Sequence, residues 1–172
     1  MTGGFGVRLY KQSFNFASAH FLIFGDGRRE QLHGHNYRVS IEMQGKLDQA
    51  DLLADFIEVK PLIGQVCDEF DHRVLIPTKS KSLVLNKSET EIEVKVSDGA
   101  RFVFPLTDVV FVPLSNTSTE RLAELISTRL RARFQESIPE TNLERLRVEV
   151  EESGGQCGWY ETELIQEAGP VS

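Results

Sequence analysis

The sequence predicts an α+β fold with a mainly antiparallel sheet and two helices on one face, and three patterns support this. Segments of two-residue alternation lie near both ends, two stretches of helical spacing fall between them, and clusters of turn residues separate the segments. Residues 7–20 form one extended run in which Phe14, Phe16, Ser18 and His20 share a side. Gly25, Asp26 and Gly27 mark residues 21–32 as a loop. A second strand over 33–45 alternates cleanly, with His33, His35, Tyr37, Val39, Ile41 and Met43 on one face. Asn36, Arg38, Ser40 and Glu42 occupy the other, the pattern of a half-buried antiparallel strand.

A helix is predicted from about 58 to 70, where Leu62, Ile63, Val66, Cys67 and Phe70 recur at helical spacing, with Pro61 expected in its first turn. Residues 83–112 return to strands, and Asp98-Gly99 between two alternating runs predicts a hairpin. The second helix is expected to open on a capping box of Thr117 and Glu120. Its buried stripe is Leu122, Leu125, Ile126, Leu130 and Phe134, and Pro139 stops it. A last alternating strand covers about 145–152. Neither a repeat nor a linker divides the chain, so 1–172 reads as one domain, with 1–6 flexible and about 80–112 a strand-rich insertion.

Composition narrows the function. With 40% hydrophobic and 26% charged residues in 172, the chain matches a globular protein that needs no staple to fold. A formal charge of −7 argues against broad nucleic-acid binding, so an anionic substrate would need a local basic pocket. Cys67 and Cys157 are far apart and in no ligand spacing, which suggests reduced thiols. No signal-like or membrane-spanning stretch is apparent, and the expected location is the cytoplasm.

Three of the four histidines bracket one hairpin. His20 ends the first extended run while His33 and His35 open the second strand, so antiparallel pairing gathers three imidazoles on one apolar face. Neutral imidazole is a good zinc ligand, and three protein ligands with an open fourth position is the pattern of a catalytic zinc site. Gly34 between two of them permits close approach of backbone or substrate.

These residues carry a family resemblance. Phe16-Ala17-Ser18-Ala19-His20 followed by Leu32-His33-Gly34-His35-Asn36-Tyr37 resembles the 6-pyruvoyl-tetrahydropterin and 6-carboxytetrahydropterin synthase family. Asp55-Phe56 with Lys60, Phe70-Asp71-His72, the run from Ser118 to Ala123, and the stretch 148–160 containing Glu152 continue the likeness in order. The resemblance implies the tunnelling fold, a zinc ion on His20, His33 and His35, and a ring-shaped homo-oligomer, commonly a hexamer, with active sites between subunits. It implies a proton-relaying pair in Asp71 and His72, and pterin binding by Glu152 with Ser118 nearby. The parity of Glu152, which it shares with Val148 and Val150, agrees: a carboxylate there suits the two neighbouring N–H donors of a pterin edge.

One departure decides the expected chemistry. Family members that make pyruvoyl- or carboxy-tetrahydropterin place a catalytic cysteine shortly before the His-Gly-His motif, where this chain reads Gly27-Arg28-Arg29-Glu30-Gln31-Leu32. Glu30 resembles the glutamate-containing branch, which cleaves the side chain of 7,8-dihydroneopterin triphosphate to 6-hydroxymethyl-7,8-dihydropterin. The alternatives are a 6-pyruvoyl- or 6-carboxy-tetrahydropterin synthase, or a zinc-containing pterin-binding protein without catalysis. Short basic pairs such as Arg28-Arg29, or Lys79 with Lys81, are not assigned to the triphosphate.

Overall fold

The structure, a computed structural model, describes residues 4–138 and 142–164. The extended run near the start is two strands, β1 (Phe5–Leu9) and β2 (Asn15–His20), both antiparallel to β3 (His33–Gly45). Leu9 pairs with Ile41 and Asn15 with Arg38, so residues 10–14 are accommodated against 39–40. A turn closed by Phe14 N–H to the Lys11 carbonyl (3.0 Å) takes up the excess, and Val39 N–H to the Phe14 carbonyl (2.8 Å) resumes the ladder. Phe5 and Gly6, expected to be flexible, pair instead with Gly45 and Gln44; residues 1–3 of that stretch lie outside the described residues.

On the other side of β3 lies β9 (Leu143–Ser153), and β10 (Gln156–Glu163) folds back on it through Gly155, whose φ of 83° favours glycine. Alternation did not reveal β10 because nearly all its residues are exposed. Two further short strands, β4 (Arg73–Pro77) and β8 (Val109–Val112), add to β2 in parallel and complete the order β10-β9-β3-β2-β4-β8, with β1 alongside β3. Brief apolar runs of this kind carry no period to read.

The expected inserted hairpin is a three-stranded antiparallel sheet: β5 (Leu83–Lys87), β6 (Glu91–Val96) and β7 (Arg101–Pro105). Asp98-Gly99 does form the β6–β7 turn, with Gly99 at φ 91°. Residues 109–112 belong to the main sheet, not to this one.

Helix α1 (Phe56–Asp68) starts ahead of the expected position because the Asp55 carboxylate accepts from Ile57 N–H at 2.7 Å. Pro61 therefore lies inside the helix, not in its first turn. The carbonyl that loses its partner belongs to Ile57, whose 80% exposure leaves it open to water. Helix α2 (Thr119–Ser137) has Ser118 at its N-cap, since the Thr117 side chain is engaged elsewhere; Pro139 lies outside the described residues. Apolar stripes of both helices, including Val66, Ile126 and Leu130, pack with Ile41, Val148 and Val150 in the main core. A second core joins Phe21 and Ile76 to Ile92 and Val94 beneath the β5–β7 sheet. Glu69 ties the helices together by accepting from both Arg129 and Arg133.

The start of α2 rests directly on β10. A Cβ on Gly158 would lie 2.5 Å from Thr119 Oγ1 and 2.6 Å from the Glu120 nitrogen, closer than packing allows. Gly158→Ala should cost about 1–3 kcal/mol of stability by forcing the helix terminus away, measured as a lower urea midpoint at unchanged slope. An unchanged midpoint would show that the helix yields without strain.

Candidate active site

The β2–β3 ladder pairs His20 directly with His33, and His35 follows on the same face. The three rings lie 4.8 to 5.4 Å apart by centroid, and each offers a ligand atom within 4.8 Å of the others, a group that can hold a metal ion. His20 is 1% exposed and His35 is half-buried, while His33 is half-buried as a residue with its ring open to solvent. Burial first, and then the neighbouring His33, push the His20 imidazole down to about 4. It is therefore neutral near pH 7, the state in which an imidazole nitrogen has a lone pair to give.

Hydrogen bonds fix which nitrogen gives it. Thr117 Oγ1 donates to the Phe21 carbonyl (3.2 Å), so toward His20 it acts as an acceptor, as does the Thr117 carbonyl. His20 Nδ1 is 3.2 and 3.1 Å from these two oxygens and must carry the proton. Nε2 is left as a bare acceptor, buried and without a hydrogen-bond partner among the described residues. An orphaned buried acceptor beside two more imidazoles is what a metal ligand looks like before the metal is counted. His33 Nδ1 likewise faces a carbonyl, that of Gln31, at 2.8 Å.

The segment between these ligands is an ordered hairpin. Glu30 N–H donates to the Leu22 carbonyl (3.0 Å), Ile23 bridges to Arg29, and Gly27 at φ 84° makes the turn. Asn116 clamps it from outside, accepting from Ile23 N–H (3.3 Å) and donating to the Ile23 carbonyl (2.9 Å). Glu30 is half-buried, and its Oε2 accepts from Leu22 N–H at 3.3 Å. Its charge acts on both His20 and Tyr37.

Glu152 reaches the same region from the sheet. It stands one residue past the last β3–β9 pair, Arg38 with Glu151, and so at the level of Tyr37. Burial, then the charges of Glu152 and Glu30, raise the Tyr37 phenol above its usual range. The Tyr37 hydroxyl is also buried and without a partner among the described residues. Ser118 is half-buried at the α2 N-cap; its hydroxyl and the Glu120 backbone N–H hold the Glu120 carboxyl below its usual range.

Asp71 and His72 are together but apart from this cluster. His72 Nδ1 is 2.7 Å from Asp71 Oδ2, while Asp71 Oδ1 accepts from Ala17 N–H at 2.7 Å. That backbone bond, and then His72, hold the Asp71 carboxyl low. His72 has φ 54°, left-handed for a non-glycine, fixed by its own N–H bonding the Ala17 carbonyl at 2.7 Å. It lines a cleft with Ala17, Ala19, Gly34 and Asn36, which have the parity of the face away from the three imidazoles, and with Ser18 and His35, which have the other. No hydrogen bond, ion pair or ring contact joins the pair to the imidazoles among the described residues, although His35 borders the same cleft.

Neither thiol is at the cluster. Cys67 is on the core side of α1, and burial pushes it up to about 12. Cys157 stands on β10 opposite Glu151, on the face away from Val150. Both are free. Of the basic pairs, Arg28 is taken by Asp26 and Arg29 by Asp98. Sequence reasoning missed Asn116, gave Thr117 only a capping role, and read Tyr37 only as core. A polar pair just before a helix was the available signal, but its partners lie more than ninety positions away.

The comparisons with known proteins agree with this architecture. The chain is 28% identical over 137 residues to the 6-carboxy-5,6,7,8-tetrahydropterin synthase of Haemophilus influenzae, covering 77% of this chain and 88% of that one. The crystal structure of 6-pyruvoyl tetrahydropterin synthase from Plasmodium vivax superposes with a TM-score of 0.89 at 27% identity, covering 95% of this chain and all of that one. A variant of that enzyme, described as a mutant of a catalytic residue and carrying alanine for a glutamate, matches equally well, at 26% identity with the same coverage. The 6-pyruvoyl tetrahydropterin synthase family model matches residues 8–163, nearly the whole three-histidine scaffold described above, and the chain belongs to that family.

Proposed function

We propose that this protein is a zinc-dependent lyase that cleaves the side chain of 7,8-dihydroneopterin triphosphate to give 6-hydroxymethyl-7,8-dihydropterin. Glu30 carries the reading: a half-buried carboxylate whose charge reaches His20, in a hairpin that contains no thiol. A catalytic glutamate in a close structural neighbour supports it. His20, His33 and His35 suit zinc, which takes neutral nitrogen donors and leaves one position open. When bound, the ion would supply Lewis acidity toward the side-chain hydroxyls of the substrate.

Glu30 then takes the proton from the second hydroxyl of the side chain. The freed electron pair forms a carbonyl as the bond between the two hydroxylated carbons breaks. The bonding pair passes to the carbon attached to the ring, where the conjugated ring imine accepts it, and a proton returned there completes the hydroxymethyl group. The other product is the triphosphorylated aldehyde fragment. Glu152 accepts the paired N–H donors of the pterin edge, with Ser118 beside it at the head of α2. Asp71 holds His72 by Nδ1, leaving Nε2 to move protons. Because that pair bonds the Ala17 backbone and none of the imidazoles of its own chain, it serves a site shared with a neighbouring copy in a ring-shaped homo-oligomer, a hexamer by family resemblance. No described helix is long and apolar enough to cross a membrane. Two free thiols suit a reducing compartment, and we assign the cytoplasm.

A second reading, 6-carboxytetrahydropterin synthase, is favoured by the name of the Haemophilus relative. Incubating metal-loaded protein with dihydroneopterin triphosphate and identifying the product by mass separates the two. Hydroxymethyl-dihydropterin supports the first, carboxy- or pyruvoyl-tetrahydropterin overturns it, and binding without any product indicates a non-catalytic pterin-binding protein.

Three variants should report on separate parts. Glu30→Gln should lower kcat by roughly 10²–10⁴-fold while metal content and pterin affinity stay as in the parent. Thr117→Val should weaken zinc binding by about tenfold or more in a chelator competition, because the His20 tautomer loses one of its two acceptors. Glu152→Gln should raise the pterin Kd without changing metal content, and an unaltered Kd would remove Glu152 from the pterin site.

A further inference from the structure

The β5–β7 sheet has no part in the chemistry above, yet Arg29 joins it to the Glu30 hairpin. Arg29 is 15% exposed at its side chain, unusual for a loop arginine. Its Nε donates to Asp98 Oδ2 at 3.0 Å, and its Nη1 donates to the Glu30 carbonyl. Its guanidinium lies over the rings of Phe21 (5.5 Å) and Phe102 (5.2 Å), which stack on each other at 5.4 Å. Phe21 follows the ligand His20, and Phe102 belongs to β7. Asp98 is itself fixed, since its Oδ1 accepts from Ala100 N–H at 2.8 Å in the β6–β7 turn. An unbroken chain of contacts thus runs from that turn through Arg29 to the peptide of Glu30. Arg28, by contrast, pairs with Asp26 in the exposed tip and lies over Phe24.

We propose that Asp98, acting through Arg29, is a positioning residue for Glu30, so that the β5–β7 sheet sets where the site's carboxylate stands. The inference rests on the base role given to Glu30 above. The guanidinium face covers Phe21 and Phe102 of the second cluster, while its two hydrogen bonds, to Asp98 and to the Glu30 carbonyl, run between the turn and the hairpin. Arginine is specifically suited, because its planar fork bonds Asp98 and the Glu30 carbonyl together while its face covers two rings, whereas lysine presents a single point charge.

Asp98→Asn in the full-length, metal-loaded protein is the test. Asn-Gly keeps the turn and the acceptor for Ala100 N–H, so folding is preserved while the charged partner of Arg29 is removed. The expected result is a kcat roughly ten- to a hundredfold lower, as small displacements of a reacting group produce, with pterin affinity and metal content unchanged. Arg29→Lys should reproduce it. Added to Glu30→Gln, Asp98→Asn should cause no further loss of residual turnover, whereas a general structural defect would lower it again. Hydrogen exchange at the Glu30 amide should quicken in Asp98→Asn while the His35 and Tyr37 amides keep their protection. A kcat within twofold of the parent, with Glu30→Gln inactive, would overturn the positioning role alone. Full turnover in Glu30→Gln would instead overturn the base role.

Discussion

The pairing register of β2 with β3 is the constraint on which the rest depends. His20 opposite His33 puts three imidazoles on the core-facing side of the sheet; a slip of one residue would turn Gly34 and Asn36 inward and send His33 and His35 to the other face. Several contacts resist that slip. Phe16 and Tyr37, paired in the ladder, stack at 4.8 Å and are fully buried, and β9 fastens the far side of β3 through Val39 with Val150 and Ile41 with Val148. The same apolar burial that stabilises the sheet therefore aims the three imidazoles. Burial also keeps His20 neutral, so packing and ligand chemistry are one effect seen twice.

A second tie spans the chain. Thr117 lies just ahead of α2, ninety-seven positions from His20, yet it dictates the His20 tautomer. Where Thr117 sits depends on where α2 begins, and α2 begins against Gly158 of β10, with no room for a side chain between them. Asn116, one residue earlier, holds the Glu30 hairpin by both polar groups of Ile23. The start of one helix thus sets the His20 tautomer and the carboxylate-bearing loop together, and disturbing its seat on the sheet would reach both.

What the sequence revealed follows from which interactions are local. The alternation of β3, the helical stripes of α1 and α2, and the convergence of three histidines on one hairpin depend on spacing, and all were legible. The short parallel strands β4 and β8 and the exposed β10 have no period of their own and exist only because β2, β4 and β9 in turn supply edges for them. Pro61 shows a local rule losing to a cap: the Asp55 carboxylate starts α1 early enough to draw proline into its body. Thr117 shows a correct local motif with the wrong partner, since a distant imidazole and carbonyl compete successfully for a hydroxyl that could have capped a helix. Asp71-His72 was readable as a pair, but its facing was not, because that rests on a left-handed backbone at His72 held by Ala17.

The charge around the imidazoles limits how any substrate can lie. Glu30 and Glu152 approach Tyr37 from different elements, beside three rings that contribute lone pairs and, at His20, no positive charge near neutral pH. Such a patch is complementary to a cation and to a ligand edge rich in N–H donors, and repels anions. The two arginines of the hairpin do not soften it, for Arg28 is neutralised by Asp26 and Arg29 by Asp98. On the proposed reading, the pterin ring and its hydroxyl-bearing carbons therefore occupy the patch while the triphosphate extends away from it, toward solvent or a neighbouring copy. Cleavage between the two hydroxylated carbons then falls at the edge of this patch, with the neutral pterin fragment retained on the carboxylate side and the anionic fragment already directed outward.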